Sequence, residues 1–439
     1  MLLEFRTKNY KSFADETIFS MVPAPRQTGL DYSVLNAQAG SGKYKGLCSA
    51  VIYGPNASGK TNLIGAMDTF KSIVLRGNIQ DAEQTGMNAA GAVLEMIPNC
   101  KEPQAPTEFS ISFVDGDLAV DYSITLDLGP FMARNYERKI LREQLVVNRK
   151  QVFLRDDTLT VDLPSVIRPY VNTSIRRKSL KMLEIAKSSL SDTELFLNNG
   201  FKTIYAQELV RRILDWIANR FIVIYRSDDI RLVRKIADPK KDSVYVEETL
   251  TKAAREFGIT SNALGYRASN DGDSDDVMLY SIFNDKKILI PAELFESYGT
   301  IRFINEFPLV IGALLNGGTL IMDEFDASIH PMALMNIINI FHNDEINVRN
   351  AQLVFNTHNP IFLDASLFRR DEIKFVERDE VTGKSTHYSL SDFKTSDGIR
   401  KGEDYMKNYF VNRYGAIRNV DFSPIIESIM KESGVKSDD

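Results

Sequence analysis

At 439 residues the chain exceeds one typical core, so two domains, or one domain with a large insertion, are expected. Apolar residues make up 44%, ample for burial, and the net charge of −6 argues against a globally basic nucleic-acid binder while leaving room for a local basic groove. Only Cys48 and Cys100 occur, without paired spacing, so neither a disulfide framework nor a zinc site is expected and a reducing cytoplasm is the natural setting. No run approaches about 18 apolar residues and no leader-like segment stands out, so a soluble intracellular protein is expected.

Residues 1–13 alternate in part and predict an edge strand entering a turn. The apolar run 48–53 predicts a buried strand, followed by Gly54-Pro55-Asn56-Ala57-Ser58-Gly59-Lys60-Thr61, a complete phosphate-binding loop. Its glycines let backbone N–H groups turn toward phosphates, Lys60 reaches the β and γ phosphates, and the Thr61 hydroxyl can ligate Mg²⁺. From Asn62 the pattern continues as a helix whose N-terminal dipole faces the anion. Segments 107–113 and 120–126 alternate strictly around the turn Val114-Asp115-Gly116-Asp117, which predicts an antiparallel hairpin.

From about Ser174 to Thr260 the period becomes helical, as at Leu209, Ile213, Trp216, Ile217 and Phe221. Three regions follow: 1–165 with the loop, a helical insertion over 166–280, and 281–439. The cluster Arg176-Arg177-Lys178 with Lys181, and Arg211-Arg212, fits either a nucleic-acid surface or an ordinary solvated helix face. Asn270-Asp271-Gly272-Asp273-Ser274-Asp275-Asp276 begins like a calcium loop, but Asp276 stands where glycine is needed and Ile282 where the bidentate glutamate belongs, so an acidic surface loop is expected.

The last third alternates short apolar strands with helices, a βαβ grammar that puts functional groups at strand C-termini. Asp323-Glu324 closes one such strand. The first carboxylate is placed for a metal and the second to polarise an attacking water. After a turn at Phe325-Asp326-Ala327-Ser328-Ile329-His330-Pro331, Asn356-Thr357-His358 closes the next strand, where His358 is placed to sense a γ-phosphate. His330 is expected to shape its turn, His342 to lie on a helix surface and His387 in a late strand. Ser297 and Gly299, before a helix, make either an anion-binding helix start or a plain N-cap.

The order of Asn9-Tyr10-Lys11-Ser12-Phe13, loop 54–61, Ser297-Tyr298-Gly299-Thr300, Leu320-Ile321-Met322-Asp323-Glu324, Ser328-Ile329-His330-Pro331 and Asn356-Thr357-His358 resembles ABC-type ATPases of the SMC, RecF and OLD group. That resemblance implies an α/β fold: an ABC-type P-loop ATPase head, a mixed sheet with flanking helices and an antiparallel β subdomain. It also implies ATP and Mg²⁺ as cofactors and a head-to-head dimer that sandwiches two nucleotides. Asn56, Ala57, Ser58, Gly59, Lys60, Thr61 and Asn62 then hold nucleotide, Thr61 and Asp323 hold Mg²⁺, Glu324 activates water, and His358 is the switch histidine. Ser297 and Gly299 reach the partner's γ-phosphate, and Tyr10 or Lys11 lies against the base. The chain departs from the usual Leu-Ser-Gly-Gly-Gln signature with Glu-Ser-Tyr-Gly-Thr, and Gln80, Gln84 and Gln144 stay open as the metal-contacting glutamine. Long heptads and a Toprim-type tail are missing, and the tail around Arg369 and Asn408 resembles small RloA- or AbiL-like ATPases, relatives of the PARIS-type phage-defence subunits. That implies a separate effector, such as a nuclease, with DNA or a phage protein as trigger. A RecF-like repair ATPase acting on DNA directly, and a scaffold with a structural nucleotide, are the rival readings.

Overall fold

The strand Ser-Ala-Val-Ile-Tyr at residues 49–53 is buried along its whole length, and the rest of the chain is arranged around it. The structure, a computed structural model, describes residues 1–25, 27–80, 95–102, 104–131, 136–171, 179–225, 244–246, 248–256, 263–268, 277–283, 288–327, 329–394, 403–418 and 420–433.

The chain opens with β1 (Leu2–Lys8), β2 (Thr17–Ser20), β3 (Val34–Ala39), β4 (Gly42–Leu47), β5 (Ser49–Tyr53) and α1 (Lys60–Arg76). Next come β6 (Thr107–Asp115), β7 (Leu118–Asp127), β8 (Lys139–Val147), β9 (Lys150–Arg155) and β10 (Leu159–Val161). Helices α2 (Ser179–Ser188) and α3 (Gln207–Asp215) lead to β11 (Phe221–Ile224), then β12 (Val244–Val246), α4 (Glu248–Glu256), β13 (Ala263–Ala268), β14 (Val277–Phe283) and β15 (Ile288–Pro291). The last third holds α5 (Tyr298–Asn316), β16 (Thr319–Met322), α6 (Pro331–His342), β17 (Gln352–Asn356), β18 (Ile373–Arg378), β19 (Ser385–Ser389), α7 (Tyr405–Phe410) and α8 (Ser423–Glu432).

The central sheet has the order β11-β16-β17-β5-β18-β19 and is parallel except for β19. Side chains alternate across it, so its strands need apolar residues on both faces. Ala50, Ile52, Ile321, Val354 and Val376 join one core with α1 and the antiparallel sheet β10-β9-β8-β7-β6-β1-β2. Val51, Tyr53, Leu320, Met322, Leu353, Phe355 and Phe375 join a second core with α5 and α6. The architecture is therefore the mixed sheet with flanking helices and an antiparallel β subdomain that the motif order implies.

Three expectations need correction. Strand β1 is not an edge strand: β2 and β6 flank it, because Leu2 and Phe5 bury one face against α1. Segment 166–280 is not wholly helical: Phe221 begins β11, which pairs with β16, and β12 to β15 form an antiparallel sheet. The helical period at Leu209, Ile213 and Trp216 is real, but it runs straight into a strand. Trp216 stacks on Phe113 with ring centroids 3.8 Å apart, fastening α3 to the antiparallel sheet. His342, expected on a helix surface, is buried at the end of α6. The acidic stretch 270–276, the basic cluster 176–178, Gln84 and Ser328 lie outside the described residues.

Candidate active site

Register brings the ends of three strands together. Asn356 of β17 pairs with Ile52 of β5, and Phe355 pairs with Met322 of β16, so the chain leaves all three strands at one edge. Residues 54–61 follow β5, Asp323-Glu324 follow β16, and Thr357-His358 follow β17.

The loop's shape depends on its glycines. Gly59 has φ +113, and a Cβ there would sit 2.6 Å from Ser385 Oγ and 2.7 Å from Ser12 Oγ. A Cβ on Gly54 would meet the Val376 carbonyl at 2.2 Å. Those neighbours brace the loop from outside: Ser385 Oγ donates to the Ser58 carbonyl at 2.5 Å, and Asn62 Nδ2 donates to Ser12 Oγ at 2.9 Å. Helix α1 starts at Lys60 with no side-chain cap on its first N–H groups, an arrangement suited to an anion. Lys60 Nζ donates to the carbonyls of Gly54 (2.8 Å) and Pro55 (3.1 Å). Burial lowers its pKa to about 8, against the pull of Asp323 and Glu324. A buried ammonium held by its own loop, beside a buried Ser58 hydroxyl without a hydrogen-bond partner among the described residues, fits an anionic phosphate group.

Thr61 Oγ1 donates to Asp323 Oδ1 at 3.1 Å. Asn356 Nδ2 donates to the same oxygen, while Asn356 Oδ1 accepts from the Glu324 backbone N–H. Arg302 of α5 donates to the Glu324 carbonyl at 2.6 Å and pairs with Glu306 at 2.9 Å. Both backbone groups of Glu324 are thus held, its φ is +52, and its exposed carboxylate makes no hydrogen bond among the described residues. Thr357 Oγ1 donates to Asp326 Oδ2 at 2.6 Å, tying the turn after β16 to β17. His358 is exposed; partial burial, and then the charge of Lys60, lower its pKa.

Ser297 is the N-cap of α5 and accepts from Thr300 N at 3.2 Å, with Gly299 in the first turn. Neither is tied by a hydrogen bond to the loop of its own chain among the described residues. Tyr10 is fully buried, its hydroxyl bonded to Gly65 O (3.2 Å) and Thr69 (3.0 Å), so it cannot lie against a base. Lys11 is held by Glu95 and by the Tyr225 hydroxyl at 3.1 Å. An open cleft of about 410 Å³ borders the outer turn of the loop, with Arg378 and Arg418 on its wall. His330 shapes its turn by accepting from Met332 N at 3.2 Å. Arg211 pairs with Glu208, and Arg212 with Asp115 and Asp117, so these two cations are committed within the protein.

Sequence reasoning did not assign roles to Asn356, Arg302, Asp326 or Ser385. Asn356 carried a signal, a polar residue closing an apolar strand; Arg302, inside an amphipathic helix, carried none.

A strand, a phosphate loop and a helix, with carboxylates at the end of a parallel strand one place removed in the same sheet, define a P-loop nucleotide-binding domain. The profile described as "AAA domain, putative AbiEii toxin, Type IV TA system" matches residues 49–364, and the chain belongs to this family of P-loop ATPases. Among solved structures, the chain is similar to an SMC head bound to the C-winged helix domain of ScpA, with 13% identity, 91% of this chain and 99% of that chain covered, and a TM-score of 0.40. It is also similar to the SMC head domain from Thermotoga maritima, with 13% identity, 88% and 98% covered, and a TM-score of 0.36. No curated protein matches the sequence. Among the described residues no helix is long and apolar enough to cross a membrane.

Proposed function

We propose that the protein is an ABC-type ATPase that binds ATP with Mg²⁺ on loop 54–61, closes head to head on a second copy, and resets by hydrolysis. The network Thr61–Asp323–Asn356–Glu324, which spans three strand ends, is the observation that carries this reading. Asn56 to Asn62 surround the phosphates, with Lys60 as the cation. Thr61 and Asp323 would hold Mg²⁺, which supplies charge compensation for the phosphates. Glu324 takes the proton of the attacking water, a task suited to a carboxylate whose backbone is clamped and whose oxygens are unbound. His358 senses the γ-phosphate, and Ser297 with Gly299 face the partner's nucleotide. The exposure of Ser297 and the lack, among the described residues, of bonds from either to their own loop support that assignment in trans.

The family description names a toxin of a Type IV toxin–antitoxin system. It supports a sensor or regulatory role in bacterial anti-phage defence, in the manner of RloA- or AbiL-like ATPases working with a separate nuclease-like effector in the cytoplasm. The test is ATP turnover by wild type and Glu324→Gln, with and without duplex DNA. Turnover that ignores DNA and falls at least about 100-fold in the variant supports the proposal. Unchanged turnover in the variant overturns the catalytic assignment, and strong stimulation by DNA favours the repair-type reading instead.

A further inference from the structure

At the far end of β5 from the phosphate loop, three metal-ligating side chains from distant parts of the chain meet in the core. Cys48 precedes β5, His342 ends α6 and Glu372 precedes β18. All three are buried, and their ligand atoms lie within 4.8 Å of one another. Cys48 Sγ is 3.9 Å from Glu372 Oε1, and His342 Nε2 is 3.5 Å from the same oxygen. Ser49 Oγ sits among them, 2.8 Å from His342 Nε2 and 2.7 Å from Glu372 Oε1, to which it donates.

Tetrahedral zinc, with bonds of about 2.0–2.3 Å, separates its ligand atoms by roughly 3.3–3.5 Å. The Cys48–Glu372 and His342–Glu372 separations fall within a few tenths of an ångström of that. Charge points the same way. Glu372 is wholly buried, and His342 is its ion-pair partner among the described residues. The Arg369 guanidinium donates to Asp371 and the Gly29 carbonyl, and it is the Arg369 backbone N–H that donates to Glu372, at 2.8 Å. The charges of Arg369 and Lys374 act on Glu372 without a direct ion pair among the described residues, and a buried carboxylate without a directly bonded cation is costly. One thiolate, one carboxylate and a neutral imidazole around a divalent ion sum to zero charge. The rings of Tyr32 and Phe368 pack against the imidazole, with centroids 5.5 and 5.9 Å away, and hold its orientation.

We propose that Cys48, His342 and Glu372 form a structural zinc site, with the Ser49 hydroxyl or a water in the fourth position, that ties the start of β5 to β18 and α6. The mixed sulfur, nitrogen and oxygen donor set selects zinc over magnesium, so this site is chemically distinct from the carboxylate–hydroxyl pair at the phosphate loop.

The test uses the full chain, stripped of metal and titrated with Zn²⁺ against a chromophoric chelator in excess Mg²⁺, with Co²⁺ as a spectroscopic substitute. The expected result is one ion per chain and a thiolate-to-cobalt charge-transfer band that Cys48→Ser abolishes and Cys100→Ser retains. Glu372→Gln is expected to weaken Zn²⁺ by at least about tenfold, and circular dichroism confirms the fold of each variant. Failure of the wild-type chain to hold one equivalent, or persistence of the band in folded Cys48→Ser, overturns the site.

Discussion

Asn356→Ala is the sharpest probe of how the carboxylate pair is held. The side chain is fully buried and makes two bonds: it donates to the Asp323 carboxylate and accepts from the Glu324 N–H. A hydrogen bond to a charged group contributes about 1.5–3 kcal/mol and a neutral one about 0.5–1.5 kcal/mol, so we expect a loss of about 2–4 kcal/mol in folding stability. Freed from Asn356, Glu324 is held only through its carbonyl, by Arg302 and the Ala327 N–H, and a carboxylate displaced by about 1 Å costs roughly 100-fold in turnover. Urea titration followed by the single tryptophan, Trp216, which is buried, reads the first effect, and a coupled phosphate-release assay the second. Asn356→Asp keeps the acceptor for Glu324 but sets a second carboxylate against Asp323. The pair then shares a proton whose folded pKa is raised, so this variant is expected to be more stable at acid pH and to lose that stability as pH rises. If Asn356→Ala unfolds at the wild-type urea midpoint with the same slope and turns over ATP within a few-fold of wild type, Asn356 does not position the site.

The lowered pKa of Lys60, about 8 against an ordinary 10.5, has two consequences of opposite sign. The nucleotide-free protein gains stability as pH rises from 8 toward 10.5, because the folded state sheds its proton before the unfolded chain does, while ATP affinity falls over the same range; differential scanning fluorimetry and calorimetric titration separate the two. Ser297→Arg, at an exposed cap, is expected to leave the fold and single-chain ATP binding intact while abolishing ATP-dependent dimers in light scattering, and a dimer that persists refutes the trans assignment. Trp216→Ala removes the ring stacked on Phe113 and is expected to cost about 3–5 kcal/mol by circular dichroism in urea; a loss under about 1 kcal/mol would mean that the contact does not fasten α3 to the sheet.

Much of this protein can be read from local runs of sequence. Loop 54–61 is contiguous, so its glycines, lysine and threonine announce their chemistry at fixed spacing, and the apolar runs ending in Asp323 and Asn356 announce buried parallel strands. The hairpin β6–β7 follows from alternation around a Gly-containing turn, because period and turn residues are local properties. What local pattern could not decide is lateral order. Strand β17 lies between β16 and β5, three hundred residues of chain away from the latter, and only that insertion lets Asn356 bridge Asp323 and Glu324. The same non-local packing buries Tyr10 behind α1, commits Arg212 to the turn after β6, and turns His342 inward toward Cys48 and Glu372. Residue type and spacing determine which groups reach a strand end. Which groups then meet is a matter of strand neighbours and register, set by the summed burial of the two cores on either side of the central sheet.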